Sequence, residues 1–267
     1  MRPRPYGSRV GLLRAAALAL TVLAGCSAPS TAAPSAAPIA AASTVRGPAT
    51  DATGCATSPG ETAVVAPDAA SLVPSKLPPS PLAPFHVAVL GDSLAAGDFG
   101  PPAIEDRWWS RAGVALQAAR PDRDVIVSNF GLAGSGIEYV EKTITTLNAR
   151  DYQVAIVMEG RNDYQSNADW SVRLVKVMQS LERQGLVVML VTVPPIFSKG
   201  DLLSFSRNAC IRSITGTTRP LLDFEARWYA AGPALAATWY TDDVHASLAG
   251  QLIEAELASA ALLKFVK

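Results

Sequence analysis

The chain has 267 residues, of which 49% are hydrophobic and 17% charged, which is enough for one domain of ordinary size and an additional segment. Its formal charge is zero, but the part that follows residue 25 holds 19 basic and 23 acidic residues, a net charge of −4. Proteins that bind nucleic acid carry clustered basic residues, so this balance argues against a nucleic-acid partner.

Residues 1–25 have the pattern of a signal peptide. An apolar run over residues 15–23 is too short to span a bilayer comfortably but has the length of a signal sequence. Four arginines precede or interrupt it: Arg2, Arg4, Arg9 and Arg14. The run ends in Leu23-Ala24-Gly25-Cys26, which resembles the bacterial lipobox, whose cysteine is lipidated. We expect an exported protein of the bacterial cell envelope with a membrane anchor on Cys26, the alternative being an ordinary secretory signal and a secreted protein.

Residues 26–83 have the composition of a linker. They are rich in Ala, Pro, Ser and Thr and contain ten of the 20 prolines. Such a segment buries too little apolar surface to offset its ordering entropy, which predicts a stiff, partly extended spacer. Two cysteines remain after Cys26, namely Cys55 in this linker and Cys210. An oxidising compartment permits them to pair, but both a disulfide and two free thiols stay open, because pairing depends on geometry.

From residue 84 onward, short apolar runs alternate with longer amphipathic ones, which is typical of parallel strands and crossover helices. We predict strands at His86–Leu90, Val125–Asn129, Val154–Met158, Leu186–Val193 and Pro220–Phe224. We predict helices at Ile104–Ala119, Ile137–Asn148, Asp169–Gln184, Leu202–Ile214 and Ser247–Phe265. The predicted domain, residues 84–267, is of the α/β class, with three α/β/α layers and a flavodoxin-like sheet of five parallel strands.

Polar motifs follow the first three predicted strands, and a fourth precedes the last helix. Ligands of open α/β sheets bind outside the carboxyl ends of the strands, so these motifs should meet at one edge. They are Gly91-Asp92-Ser93-Leu94, Asn129-Phe130-Gly131-Leu132-Ala133-Gly134, Glu159-Gly160-Arg161-Asn162-Asp163 and Asp242-Asp243-Val244-His245. Trp108 and Trp109 open the first crossover helix near this edge, where packing on the sheet is favoured over lining an acyl pocket.

The four motifs supply the parts of an acyl-transfer site. Ser93 lies in a tight turn as the nucleophile, His245 can remove its proton, and Asp242 can orient the imidazole. Asp243 makes the choice of carboxylate ambiguous, but the spacing favours Asp242. Backbone N–H groups of Ser93 and Gly131 and the amide of Asn162 are the expected oxyanion donors. The other histidine, His86, lies at the far end of the first strand and is interpreted as structural.

In this order, the motifs resemble the SGNH (GDSL) hydrolase family, whose blocks carry Ser, Gly, Asn and His. The resemblance covers Val87 to His245 and assigns the same roles, with Asp242 and His245 in the DxxH block. The family often has a glycine inside that block, where this chain has Asp243-Val244.

The resemblance implies an esterase or lipase that cleaves carboxylic esters through an acyl-Ser93 intermediate, and the signal peptide predicts that it acts outside the cytoplasm. We expect a monomer without cofactor or metal, acting on a small-molecule, lipid or sugar ester. Two alternatives remain open. One is an acyltransferase that uses the same residues to acylate a sugar or lipid hydroxyl, and the other is a non-catalytic envelope-binding protein that retains the fold.

Overall fold

The computed structural model describes residues 55, 83–101, 103–197, 202–216 and 219–266. The predicted signal peptide, Cys26 and almost all of the predicted linker lie outside these residues. Among the described residues, no helix is both long enough and apolar enough to cross a membrane.

The strands form one parallel sheet in the order β2-β1-β3-β4-β5. The strands are β1 (Phe85–Gly91), β2 (Val125–Asn129), β3 (Val154–Met158), β4 (Val187–Val191) and β5 (Leu221–Leu222). The helices are α1 (Ser93–Ala96), α2 (Trp108–Ala119), α3 (Ile137–Thr146), α4 (Asn167–Arg183), α5 (Leu202–Thr215), α6 (Phe224–Ala231), α7 (Pro233–Ala237) and α8 (Leu248–Leu262). Short 3-10 turns span Ile104–Asp106 and Ala149–Asp151. The predicted α/β fold with five parallel strands is confirmed.

The strand register brings the polar motifs to one edge of the sheet. Gly91 at the end of β1 pairs with Met158 at the end of β3, and Val89 pairs with Asn129 at the end of β2. The chain therefore leaves β1, β2 and β3 at the same carboxyl edge, as the sequence predicted.

Helices cover both faces of the sheet. Successive side chains of a strand point to opposite faces, so each strand contributes to two cores. In β3, Val154, Ile156 and Met158 belong to the core that contains buried side chains of α2, α6 and α8. Ala155 and Val157 belong to the core that contains buried side chains of α3, α4 and α5. All five residues of β3 are buried, which explains its continuous apolar sequence.

The predicted strand at 220–224 was wrong in its second half. Only Leu221 and Leu222 pair with β4, and Phe224 begins α6. Asp223 ends the strand because its carboxylate accepts a hydrogen bond from the Ala226 N–H at 3.0 Å, which caps the helix. Helices α6 and α7 had not been predicted.

The structure joins Cys55 to Cys210 by a disulfide. Cys210 is fully buried on α5, and Cys55 packs against the same core. The bond therefore ties a residue of the predicted linker to the helical layer of α3, α4 and α5.

Candidate active site

The turn after β1 places Ser93 at the first position of α1. Gly91 is required there, since its φ is +146° and a Cβ would lie 1.9 Å from the Met158 carbonyl oxygen of β3. The Asp92 carboxylate caps α1 by accepting the Leu94 N–H at 2.8 Å. Ser93 is only 5% exposed, so it is almost buried at the carboxyl edge of the sheet.

Two buried tryptophans hold the other end of α1. The indole N–H of Trp108 donates to the Leu94 carbonyl at 3.0 Å, and that of Trp109 donates to the Ala96 carbonyl at 2.9 Å. The bond from Trp109 gives the Ala96 carbonyl, at the end of α1, a partner outside the helix, whereas the Leu94 carbonyl accepts Trp108 in addition to the Gly97 N–H at 3.2 Å. Both side chains are almost fully buried, so they pack on the sheet, as favoured from the sequence, and position the helix that carries Ser93.

His245 bridges Ser93 and Asp242. Its Nε2 lies 3.0 Å from Ser93 Oγ, and its Nδ1 lies 2.8 Å from Asp242 Oδ2. The other carboxylate oxygen of Asp242 accepts the backbone N–H groups of Val244 at 2.8 Å and His245 at 2.6 Å. Partial burial raises the pKa of Asp242, but these bonds from His245 and Val244 outweigh it and lower the pKa to about 2. The carboxylate therefore stays ionised at neutral pH.

The loop that carries His245 is closed on itself before α8. Tyr240 and Ala246 form an isolated antiparallel bridge, and the Thr241 N–H donates to the His245 carbonyl at 2.9 Å. Ser247 then caps α8. Gln251 of α8 accepts the backbone N–H of Trp108 at 2.7 Å, so one side chain links α8 to the helix that holds α1.

For Gly131, predicted as an oxyanion donor, the structure shows a hydrogen bond within its own loop. Its N–H donates to Asn129 Oδ1 at 2.8 Å and is therefore engaged within its own loop. There is no room for a side chain at Gly131. A Cβ on Gly131 would lie 2.6 Å from Ala96 N and 2.9 Å from Asp92 O. The glycine lets the loop after β2 approach the backbone of the nucleophile turn.

The backbone N–H groups of Ser93 and Gly134 differ from that of Gly131. Neither has a hydrogen-bond partner among the residues that the structure describes. Gly134 is exposed with a φ of +74°, in the last position of the motif after β2. Its neighbour Ser135 contacts the Gly91 carbonyl and accepts a bond from Asn162, which places this part of the loop beside the nucleophile turn. The sequence interpretation chose the first glycine of the motif, Gly131, and did not consider Gly134.

Asn162 lies in the loop after β3, where it contacts the two other loops. Its Nδ2 donates to Asp92 Oδ2 at 3.1 Å and to the Ser135 carbonyl at 2.9 Å. The amide is thus fixed between the nucleophile turn and the segment next to Gly134, and both of its hydrogens have acceptors.

Three buried carboxyl groups, those of Asp92, Glu159 and Asp163, lie in the loops at the carboxyl edge of the sheet. Burial raises the pKa of Asp92 to about 6, against the opposing bond from the Leu94 N–H. Burial, with the nearby charges of Asp92 and Asp163, also raises the pKa of Glu159 well above its usual value. Asp163 accepts the Trp170 indole N–H at 3.0 Å and the Ile137 N–H at 3.0 Å, so it ties α3 and α4 to the loop.

A hydroxyl, an imidazole and a carboxylate in hydrogen-bond contact define the class of this protein. It is a three-layer α/β protein in which Ser93, His245 and Asp242 form a chain of contacts at the carboxyl edge of a parallel sheet, the arrangement of a catalytic triad. In the part of the chain that the structure describes, no group of three His, Cys, Asp or Glu side chains could hold a metal ion.

The chain belongs to the GDSL-like Lipase/Acylhydrolase family, whose sequence model matches residues 89–253. No curated protein matches it. Among solved structures, Axe2, an acetylxylan esterase from Geobacillus stearothermophilus, is 17% identical with a TM-score of 0.55, over 68% of this chain and 94% of Axe2. CEX, a two-domain esterase active on acetylated mannans, is 17% identical with a TM-score of 0.58, over 70% of this chain and half of CEX. These likenesses are to the fold.

Proposed function

We propose that this protein is an exported serine hydrolase that cleaves carboxylic esters through an acyl-Ser93 intermediate. The observation that carries the proposal is the chain of contacts from Ser93 Oγ to His245 Nε2, 3.0 Å, and from His245 Nδ1 to Asp242, 2.8 Å. Membership of the GDSL-like family and the fold shared with Axe2 and CEX support it.

In the proposed reaction, one proton path serves both halves. His245 Nε2 takes the Ser93 proton as Oγ attacks the carbonyl carbon, and ionised Asp242 stabilises the imidazolium. The imidazolium then gives that proton to the alcohol oxygen as its bond to carbon breaks. In the second half, water loses a proton to His245 and attacks the acyl carbon, and the proton returns to Ser93 Oγ as the carboxylic acid leaves.

The oxyanion of each tetrahedral intermediate needs donors on the side of Ser93 away from His245. We assign the free N–H groups of Ser93 and Gly134 and the amide of Asn162 to this role, in place of the engaged N–H of Gly131. Asn162 takes part by sharing one of the hydrogens it now gives to Asp92 and Ser135. Asp92 and Ser135 are then the groups that orient the amide before substrate binds.

An extracytoplasmic location with a lipid anchor on Cys26 forms part of the proposal. The Cys55–Cys210 disulfide supports the extracytoplasmic location, since such bonds persist in oxidising compartments. Metabolic labelling with a fatty-acid analogue in a bacterial host tests the anchor. We expect label on the wild-type protein and none on Cys26→Ser, whereas equal labelling of both would contradict it.

Replacing the nucleophile tests the function. Ser93→Ala should abolish turnover of p-nitrophenyl acetate while the far-ultraviolet circular dichroism spectrum is unchanged. Ser171→Ala, in which a buried serine of α4 is lost, is the matched control and should keep wild-type activity. Most of the activity remaining in Ser93→Ala would overturn the assignment.

A further inference from the structure

Phe99 adopts a backbone conformation that its side chain disfavours. Its φ is +60°, and it is the only residue other than glycine with a positive φ among those that the structure describes. This left-handed region brings Cβ close to the following carbonyl oxygen and is a genuine outlier for a bulky residue. Burial does not explain why a phenylalanine stands here, because the residue is 62% exposed.

The ring of Phe99 lies against the ring of His245. Their centroids are 4.6 Å apart, with the two planes inclined at 51°. Phe99 is thus an exposed aromatic side chain in direct contact with the imidazole that also contacts Ser93.

Contacts on both sides of Phe99 fix its backbone. The preceding residue, Asp98, donates its N–H to the Ser93 carbonyl at 2.9 Å and forms an ion pair with Arg107 at 2.8 Å. The following residue, Gly100, approaches the loop of His245 so closely that a Cβ would lie 2.1 Å from the Ala246 carbonyl oxygen. Strained conformations persist where the surroundings determine them in this way, and they cluster at functional sites.

The position of the Phe99 ring relates it to the alcohol part of the ester. In the proposed reaction His245 gives its proton to the departing alcohol oxygen, so that oxygen must come within hydrogen-bond distance of Nε2. A group attached to it then lies beside the imidazole, where the exposed ring of Phe99 offers an apolar surface.

We propose that Phe99 determines specificity for the alcohol part of the ester and that the substrates carry a ring or another broad apolar face on that part. The inference rests on the proposed function of Ser93 and His245. It predicts that Phe99 acts on the first half of the reaction, before the alcohol leaves, and has no part in discriminating between acyl groups.

A pair of esters that share the acetyl group and differ in the alcohol tests this inference. We would measure kcat/KM for benzyl acetate and ethyl acetate with wild-type protein, Phe99→Gly and Phe99→Leu. The benzyl-to-ethyl ratio should fall about tenfold in Phe99→Gly, the size of discrimination that one apolar contact provides, and less in Phe99→Leu. Phe205→Ala, which removes an exposed phenylalanine of α5, should keep the wild-type ratio.

Two further measurements separate specificity from a structural role. The preference of Phe99→Gly between p-nitrophenyl acetate and butyrate should equal that of the wild type, since the alcohol is the same. Its Tm should not fall, because glycine adopts a φ of +60° without strain. A phenylalanine kept for the fold would instead lower the Tm when removed.

An unchanged benzyl-to-ethyl ratio in Phe99→Gly would overturn the inference. That includes the outcome in which both rates fall equally, which would mean that the ring only positions His245. Failure of the proposed function has a different signature, since Ser93→Ala would then hydrolyse both esters as fast as the wild type.

Discussion

Gly131→Ala perturbs the contact between the loop after β2 and the nucleophile turn. The new Cβ would lie 2.6 Å from Ala96 N, whereas ordinary van der Waals contact begins at 3.4 Å, so the two backbones must separate by about 0.8 Å. The three atoms nearest this Cβ, Ala96 N, Ala96 Cα and Asp92 O, belong to the backbone of the turn that carries Ser93, so no flexible side chain can absorb the clash. A displacement of about 1 Å at a catalytic group costs on the order of 10² in rate, which is the loss of kcat/KM that we expect.

The assay is kcat/KM for p-nitrophenyl acetate together with Tm by circular dichroism. Gly113→Ala is the control, because its Cβ would also be tight, 3.0 Å from Val127 Cγ2, but between α2 and β2. Overpacking costs about 1 to 3 kcal/mol of stability, so Gly131→Ala should lose Tm. Only Gly131→Ala should lose activity. Activity within threefold of wild type in Gly131→Ala would refute the claim that close approach of this loop positions Ser93.

Three other changes have defined outcomes. Asp242→Asn should lower kcat on the order of 10² to 10³, less than the roughly 10⁴ known for a buried triad aspartate, because Asp242 is 54% exposed; steady-state kinetics with unchanged kcat would contradict this. Burial raises the pKa of Glu254 well above its usual 4.5, so above pH 4.5 the unfolded chain loses this proton while the folded one keeps it. Between pH 4.5 and the pKa of Glu254 in the folded protein, the free energy of unfolding of the wild type should therefore fall by about 1.4 kcal/mol per pH unit relative to that of Glu254→Gln. If urea unfolding from pH 4.5 to 7 gave the same pH dependence for both proteins, the prediction would be wrong. Replacing Cys55 and Cys210 by alanine should lower the free energy of unfolding by about 2 to 4 kcal/mol and make it insensitive to reductant, whereas equal stability with and without reductant in the wild type would show that no disulfide forms.

The sheet could be predicted because its central strands are buried on both faces. In β1 and β3 this burial requires almost continuous apolar residues, and the runs end where the polar motifs begin. The elements around and after Leu222 were harder to predict, since β5 pairs over only two residues. Its helices nevertheless had signals, namely Asp223 as the cap of α6 and Pro233 at the first position of α7.

The site was predictable as a set of motifs and less so as a set of hydrogen bonds. Ser93, His245 and Asp242 come together as the spacing indicated. The motif after β2 contains two glycines, and the sequence gives no sign that the Asn129 side chain engages the N–H of the first, Gly131. That bond depends on how the loop folds back on itself.

The disulfide could not be decided from the sequence for a related reason. Cys55 and Cys210 are separated by 155 positions, and pairing requires their Cα atoms to come within about 7 Å of each other. The structure places them 5.4 Å apart. Only the packing of the linker residue against the core of α5 provides that distance.

Covalent labelling with a serine-reactive fluorophosphonate tests the central claim most directly, because it reports on the nucleophile without any assumption about the natural substrate. We predict one adduct per chain, located by peptide mass spectrometry on Ser93, with labelling slowed strongly in His245→Ala because Ser93 then lacks its base. Labelling at another serine, or no labelling of folded wild-type protein, would contradict the account.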